Sequence, residues 1–227
     1  MGLPARIVFA SGNRGKLREV SRLLGDFGVE VVPQSEFGVG EVPETGTTFL
    51  ANSFIKSRHA AAVTGLPAIA DDSGLAVDFL DGAPGVYSAR YSGPGATDET
   101  NIDKLLAALA EVPDGERAAA FHCMATFVDP ATGAELFGEG RWDGCILTAR
   151  QGSGGFGYDP VFFDPVAGKA AAEFTAEENN TASHRGKALR ALVAALAGHY
   201  AGRCRRTASR LPSTCTCPGA CRSARTA

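Results

Sequence analysis

The chain has 227 residues, of which 44% are hydrophobic and 21% are charged, values that are typical of a globular protein of one domain or two tightly joined lobes. Its formal net charge is −3, but residues 203–227 contain six arginines and no acid, so residues 1–202 hold 16 basic against 25 acidic residues and carry about −9. An acidic body argues against a nucleic-acid partner, because that binding depends on neutralising many phosphates.

The first apolar run, 7–10, is too short for a signal peptide or a membrane span. We therefore expect a cytoplasmic protein without a membrane partner. Residues 6–10 predict a β-strand, followed by the loop SGNRGK and by a helix with apolar residues at Leu17, Val20 and Leu24. A second short strand is predicted at 30–34.

A longer helix is predicted at 48–63, with Asn52 and Lys56 four residues apart and so on one face. The segment AIADDSGLAVDF predicts a strand, an acidic turn at the edge of a sheet, and a second strand. Residues 98–110 then predict an amphipathic helix that ends before Pro113.

Two long strands are predicted at 118–128 and 135–148, joined by the turn DPATG, and a short strand at 161–163. The last helix is predicted from about Ser183 to about Tyr200. Strands and helices in this order predict an α/β or α+β fold with a partly antiparallel sheet.

The composition changes after the last predicted helix. Residues 203–227 combine six arginines with Cys204, Cys215, Cys217 and Cys221. A zinc site would need a ligand spacing that these cysteines lack, so we expect a disordered or aberrant tail and a domain that spans 1–202. Cys123 and Cys145 stand alone in apolar surroundings and predict reduced core thiols.

The loop SGNRGK lies between a strand and a helix, where backbone N–H groups and the positive helix end favour an anion. Ser11, Asn13 and Lys16 add polar side chains that suit a phosphate chain. The loop lacks the Walker A spacing, and an exposed turn with a surface lysine is an equally good interpretation.

The segment GSGGFGYDP formally matches the dinucleotide fingerprint, but Pro160 and a predicted strand follow where a helix is required. The glycines instead allow a bent loop that presents Phe156, Tyr158 and Asp159, so that an aromatic ring stacks on a base and a carboxylate accepts its N–H groups. Alternatively, Phe156 is a core residue.

The acids Glu44, Asp71 and Asp72 are candidate ligands of Mg²⁺, which prefers carboxylate oxygens and substrate phosphates. Adjacent aspartates also cap backbone groups, and the metal hypothesis needs Glu44 close to them in space. The segment SHRGK places His184 and Arg185 at the start of the last helix, where basic residues oppose the helix dipole. That position favours a functional role for them.

Together these motifs resemble the inosine triphosphate pyrophosphatase family, also called the Ham1 or non-canonical purine NTP pyrophosphatase family. The resemblance covers about 6–197 and rests on SGNRGK, ETGTTFLANSFIKSRHAA, ADDSGLAVDFLDGAPGVYSARYSG, GGFGYDP and SHRGKAL in the family's order. It implies a long mixed β-sheet flanked by helices, two lobes with a central cleft, and a homodimer. It also implies hydrolysis of dITP, ITP and XTP to the monophosphate and pyrophosphate.

The resemblance assigns roles by position. Glu44 and Asp72 hold Mg²⁺, and Asp72 is the proton acceptor. Substrate contacts are implied for Lys56 and Ser73, for the loop residues Ser11, Gly12, Asn13, Arg14, Gly15 and Lys16, and for the base-pocket residues Phe156, Gly157, Tyr158, Asp159, His184 and Arg185.

One position departs from the family, which carries a lysine where this chain has Asn179. Lys169 or Lys187 could supply the missing charge. Two other classes stay open: a Maf-like pyrophosphatase with a different nucleotide specificity, and a nucleotide-binding protein without turnover.

Overall fold

The computed structural model describes residues 3–25 and 27–208, with the backbone alone for 202–208. Its strands are β1 (Arg6–Phe9), β2 (Glu30–Pro33), β3 (Ala68–Val77), β4 (Ala118–Asp129), β5 (Ala134–Ile146), β6 (Phe162–Asp164) and β7 (Lys169–Ala170). They form one sheet in the order β2-β1-β3-β4-β5-β6-β7. β1 is parallel to β2 and β3, and the remaining pairs are antiparallel. This mixed sheet confirms the predicted α/β class.

The α-helices are α1 (Arg14–Gly25), α2 (Phe49–Thr64), α3 (Asp98–Ala108), α4 (Ala176–Ala182) and α5 (His184–Ala208). Local capping sets where several of them begin. Thr48 accepts the N–H of Ala51 at 3.1 Å at the start of α2, and Thr97 and Thr100 form a reciprocal capping box at the start of α3. No helix in the described ranges has the length and apolarity needed to cross a membrane.

Two lobes share the long strands β3, β4 and β5. In the first lobe, α1 and α5 pack on one face of the sheet, around a core that includes Ile7, Phe9, Phe127, Leu189 and Leu192, while α2 covers the other face. The second lobe surrounds α3, with a core that includes Leu75, Leu105, Phe121, Trp142 and Phe162. Each long strand therefore contributes to both cores, which joins the lobes rigidly and leaves a cleft between them.

Glycines on β5 let α5 lie directly on the sheet. A Cβ atom at Gly138 would collide with the backbone of Ala188 and Leu192, and one at Gly140 with the carbonyl oxygen of His184. A larger residue at either position would push the helix outward. This close approach determines where the first turn of α5 reaches the cleft.

Most predicted elements are confirmed, with shifts of one or two residues at their ends. The predicted acidic turn in AIADDSGLAVDF is wrong, because β3 is one continuous strand inside the sheet, and Asp71 and Asp72 pair in register with Ala125 and Met124. Two adjacent aspartates predict a solvent-exposed turn. In the structure Asp71 can be buried because it forms ion pairs with Lys16 of α1 and Arg185 of α5.

The C-terminal part differs from the prediction in two ways. α4 was not predicted, and α5 continues to Ala208 rather than ending near Tyr200. The tail prediction for 203–227 therefore begins within a helix, and residues 209–227, with Cys215, Cys217 and Cys221, lie outside the described residues. Cys123 is free and buried, as predicted, and Cys145 is free but half-buried.

Candidate active site

The space between the lobes forms a cleft of about 770 Å³, a volume in the range of small-molecule sites. The predicted site residues line this cleft, except Arg14, Gly15 and the candidate metal ligand Asp71. Arg14 is exposed outside it, and Gly15 is half-buried in the first turn of α1. Contributions come from the β1–α1 loop, α2, β3, the start of α5 and residues 152–160, which we call the base loop.

The β1–α1 loop is organised by Asn13. Its side-chain oxygen accepts the N–H groups of Gly15 at 2.8 Å and Lys16 at 3.1 Å, and Ser11 Oγ accepts the N–H of Asn13 at 3.2 Å. Asn13 is thus the cap of α1. Two of the amides expected to hold phosphate are already satisfied by this cap, so the side chain of Lys16 is the main positive group that α1 brings to the cleft.

A buried ion cluster lies beneath the cleft and centres on Asp71, which is 1% exposed. Asp71 Oδ2 accepts from Lys16 Nζ at 2.7 Å and from Arg185 Nε at 3.2 Å. Burial by itself would raise the pKa of Asp71, but Lys16 and Arg185 hold it well below its usual range. Asp71 is therefore a charged structural anchor between α1 and α5, and it does not line the cleft.

Glu44 and Asp72 are brought together by one lysine. Lys56 Nζ donates to Glu44 Oε1 at 3.0 Å and to Asp72 Oδ1 at 3.1 Å, which meets the condition that the metal hypothesis placed on Glu44. Burial raises the pKa of Asp72, and the charge of Glu44 raises it further against the opposing effect of Lys56. Asp72 Oδ2 is buried without a hydrogen-bond partner among the described residues.

Arg185 joins the ion cluster to the base loop. Its Nη1 donates to Glu19 at 3.0 Å and its Nη2 to Ser73 Oγ at 3.2 Å, in addition to the bond with Asp71. The guanidinium carbon lies 5.4 Å from the centre of the Phe156 ring, within the range of a cation–π contact. Phe156 is 40% exposed, which excludes the interpretation of this ring as a core residue.

Two further carboxylates hold the backbone of the base loop. Asp159 Oδ2 accepts the N–H of Phe156 at 3.0 Å, and Asp98 Oδ2, from α3, accepts the N–H of Gly157 at 2.7 Å. Burial raises the pKa of Asp159 to about 6, although the bond from Phe156 and the charge of Arg185 lower it. The base end of the cleft therefore combines an exposed ring, a guanidinium and a buried carboxylate.

His184 and Tyr158 pack as part of the wall. The His184 ring stacks on Phe121, with centroids 4.7 Å apart, and burial together with the charges of Arg185 and Lys16 keeps its pKa well below the usual value. His184 is therefore a neutral imidazole at neutral pH. Tyr158 is buried and donates its hydroxyl to Ser88 O at 2.8 Å, so its ring is less accessible to a base than that of Phe156.

The structure does not bring Lys169 or Lys187 to the cleft in place of the lysine missing at position 179. Lys169 Nζ contacts Glu178 at 2.8 Å, and Lys187 Nζ donates to Arg141 O at 2.8 Å. Arg90 does line the cleft. Its guanidinium forms a loose ion pair with Glu44, in which Arg90 Nη1 lies 3.7 Å from Glu44 Oε2.

Glu19, Arg90 and Asp98 were not predicted from the sequence. Glu19 is one turn beyond Lys16 on α1, a spacing that places both on one face and could have indicated it. Arg90 lies within the motif GVYSARYSG, although its role there was not separated from the motif. Asp98 lies in the first turn of α3, where the helix dipole already favours an acid. Its presence there therefore gave no separate indication of a site.

Chemically, the cleft has two different ends. Lys16, Lys56 and Arg90 provide positive charge beside the paired carboxylates Glu44 and Asp72, which suits an anion that arrives with a cation. The other end suits a planar group that stacks on Phe156 and makes polar contacts. No group of three or more His, Cys, Asp or Glu side chains arranged to hold a metal occurs in the part of the chain that the structure describes.

The chain is similar to known proteins over most of its length. A sequence model of the Ham1 family matches residues 7–195. The dITP/XTP pyrophosphatase of Escherichia coli O157:H7 is 56% identical over 192 residues, which cover 84% of this chain and 98% of that protein. The enzyme of the same name from Pectobacterium atrosepticum is 55% identical over 192 residues, with coverage of 84% and 98%.

A solved structure also shows the same fold. The HAM1 protein from Coxiella burnetii superimposes with a TM-score of 0.79 at 46% sequence identity, covering 85% of this chain and 98% of that chain.

The buried cluster predicts a stability effect at Asp71. Asp71→Asn removes the charge between Lys16 and Arg185, so both cations lose their buried partner, and the free energy of unfolding should fall by about 3–5 kcal/mol. Urea unfolding measures this change. The matched control is Glu30→Gln, which removes the exposed Arg6–Glu30 pair and should cost less than about 1 kcal/mol. Equal effects of the two substitutions would contradict an anchoring role for Asp71.

Proposed function

The chain belongs to the Ham1 family, and from this membership and the geometry of the cleft we propose that it is a nucleoside triphosphate pyrophosphatase acting on dITP, ITP and XTP. The products are the nucleoside monophosphate and pyrophosphate, so the enzyme removes these nucleotides from the precursor pool. It is a hydrolase of acid anhydrides.

The observation that carries this proposal is the two-ended cleft. The cluster of Glu44, Lys56 and Asp72 lies in the same cleft as the Phe156 ring and the Arg185 guanidinium. A nucleoside triphosphate has matching ends: a polyphosphate that binds divalent cations, and a planar base. The cleft volume of about 770 Å³ falls within the range of pockets that enclose ligands of this size.

We assign Mg²⁺ to Glu44 and Asp72. The residues fit this ion because Asp72 Oδ2 is buried without a hydrogen-bond partner in the described chain, and Lys56 holds the two carboxylates near one another. Oxygen ligands from one or two carboxylates, completed by substrate phosphates, are typical of Mg²⁺. When bound, Mg²⁺ supplies positive charge that neutralises the phosphates.

Asp72 has the surroundings of a proton acceptor. Its pKa is raised by burial and by Glu44, which brings the carboxylate closer to the basicity that proton transfer near neutral pH requires. In the proposed reaction a water oxygen attacks the α-phosphorus, Asp72 takes the proton, and the bond between the α-phosphorus and the bridging oxygen breaks. Pyrophosphate leaves with that oxygen. Lys16, Lys56 and Arg90 orient and neutralise the leaving phosphates.

Selectivity follows from the hydrogen-bonding pattern of the base. Hypoxanthine and xanthine present an O6 acceptor and an N1–H donor, whereas adenine presents the reverse. Arg185 uses three of its N–H groups on Asp71, Glu19 and Ser73, which leaves one on Nη1 and one on Nη2 for O6. Asp159, buried at the same end of the cleft, is the proposed acceptor for N1–H. Adenine would leave these groups unpaired, a penalty that can reach roughly 10⁴-fold in kcat/KM.

The proposal also covers assembly and location. We place the enzyme in the cytoplasm as a homodimer, without a nucleic-acid or membrane partner. Support comes from the charge of about −9 on residues 1–202, which opposes binding to nucleic acid. Exposed large apolar side chains, including Phe27, Phe79, Tyr87 and Phe137, provide surface that a second copy of the chain can cover.

The first functional prediction concerns substrates. Values of kcat/KM for dITP, ITP and XTP should exceed the value for ATP by roughly 10⁴-fold, because adenine presents the reverse hydrogen-bonding polarity to Arg185 and Asp159. They should also exceed the values for CTP and UTP, whose single-ring bases offer less surface to the Phe156 ring. Pyrophosphate release across this panel measures it. A preference for pyrimidine nucleotides would favour a Maf-like specificity, and nucleotide binding without product would indicate a protein without turnover.

The second functional prediction concerns the metal and Asp72. EDTA should abolish turnover and Mg²⁺ should restore it, while Asp72→Asn should lower kcat by roughly 10²-fold or more, the range of lost acid–base assistance. Asp78→Asn is the matched control, since Asp78 is exposed just beyond the end of the same strand. A near-normal kcat in Asp72→Asn would contradict its role as proton acceptor. Full activity in EDTA would contradict the metal requirement.

A further inference from the structure

We propose that Asp98 is a positioning residue, which holds the base loop against the start of α3 and so sets the affinity for the nucleotide base. The inference rests on the proposed function, since it assumes that a base binds at Phe156. It concerns a residue of α3 that does not belong to the loop, the metal ligands or the phosphate contacts.

The direct observation is one short hydrogen bond between the base loop and the first turn of α3. Gly157 N–H donates to Asp98 Oδ2 at 2.7 Å, and both residues line the cleft. The acceptor is well fixed, because Asp98 follows Thr97, whose side chain and that of Thr100 close the capping box at the start of α3. The carboxylate therefore gives the loop a defined attachment point.

A second carboxylate holds the neighbouring amide. Phe156 N–H donates to Asp159 Oδ2 at 3.0 Å, so two successive amides of the loop are each bound by an aspartate. Together these bonds fix the backbone on both sides of the Phe156 ring, which faces the Arg185 guanidinium at 5.4 Å. Without Asp98, the peptide after Phe156 loses its attachment to α3.

The first turn of α3 favours an acid at position 98, but helix stabilisation does not explain why the carboxylate binds the base loop. Asp98 is exposed, and one hydrogen bond at an exposed position adds little to the free energy of unfolding. Its charge also opposes that of Asp159, because Asp98 is one of the groups that raise the pKa of Asp159. Placing two carboxylates near each other costs free energy, and that cost is understandable if their purpose is to orient the loop.

The chain offers a matched control in a second contact between the same elements. Arg150, just before the base loop, donates to Asp103 Oδ1 at 2.7 Å and to Glu99 O at 3.1 Å. This contact also joins the segment to α3, but Asp103 does not line the cleft, and its partner Arg150 is farther from Phe156 along the chain than Gly157 is. Loss of Asp103 therefore tests whether any tether to α3 has the same effect.

The experiment compares Asp98→Ala, Asp98→Asn and Asp103→Ala with the unmodified chain, using dITP as substrate. Asp98→Ala should raise KM about 5- to 10-fold with kcat within about twofold, because a hydrogen bond that orders the loop before binding is lost. Asp98→Asn keeps an oxygen acceptor, so its KM should stay within about threefold of that of the unmodified chain. The KM of Asp103→Ala should stay within about twofold of that of the unmodified chain, as expected for the loss of an exposed ion pair.

Hydrogen exchange of the Gly157 amide, followed by NMR, gives a readout that does not require turnover. Exchange should be faster in Asp98→Ala than in Asp98→Asn or Asp103→Ala. An unchanged KM or unchanged Gly157 exchange in Asp98→Ala overturns the inference, as does an Asp98→Asn variant as impaired as Asp98→Ala, or an equal effect of Asp103→Ala. If the unmodified chain does not hydrolyse dITP, the proposed function fails, whereas the exchange data still decide whether Asp98 holds the loop.

Discussion

The carboxylate of Asp71 is buried in the middle of β3 and is neutralised from two directions, by Lys16 of α1 and by Arg185 of α5. An isolated charge at this depth would be very costly, so the fold must deliver both cations to it. That requirement places the first turn of α1, the first turn of α5 and the strand residue Asp72 around one point. The phosphate end and the base end of the cleft are both built outward from this cluster.

The same electrostatic arrangement explains how the cleft can bind a highly charged substrate. Three of its cations are held by protein carboxylates before a ligand arrives: Lys16 by Asp71, Lys56 by Glu44 and Asp72, and Arg185 by Asp71 and Glu19. These pairs keep long side chains in place, which lowers the ordering cost of binding. In the proposed complex, Glu44 and Asp72 would hold Mg²⁺, and Lys56 would then be available to the phosphates.

Elements with a strong periodic pattern could be predicted from the sequence, and the motifs with the family resemblance named about half of the residues that line the cleft. The failures have a common physical cause. β3 was divided by a predicted turn because Asp71 and Asp72 look solvent-exposed locally, whereas their partners come from α1, α2 and α5. Glu19 and Asp98 each act through a contact with a distant segment, at Arg185 and Gly157. The position of Glu19 one turn beyond Lys16 is an indirect indication, whereas no local spacing indicates the contact of Asp98.

In the proposed reaction, water attacks the α-phosphorus of a purine nucleoside triphosphate in this cleft. Hydrolysis of dITP in ¹⁸O-labelled water, with both products analysed by mass spectrometry, shows which phosphorus atom is attacked. Attack at the α-phosphorus places one ¹⁸O atom in the nucleoside monophosphate and leaves the pyrophosphate unlabelled. Label in pyrophosphate, or label in orthophosphate released together with the diphosphate, would show that another bond is broken and would contradict the account.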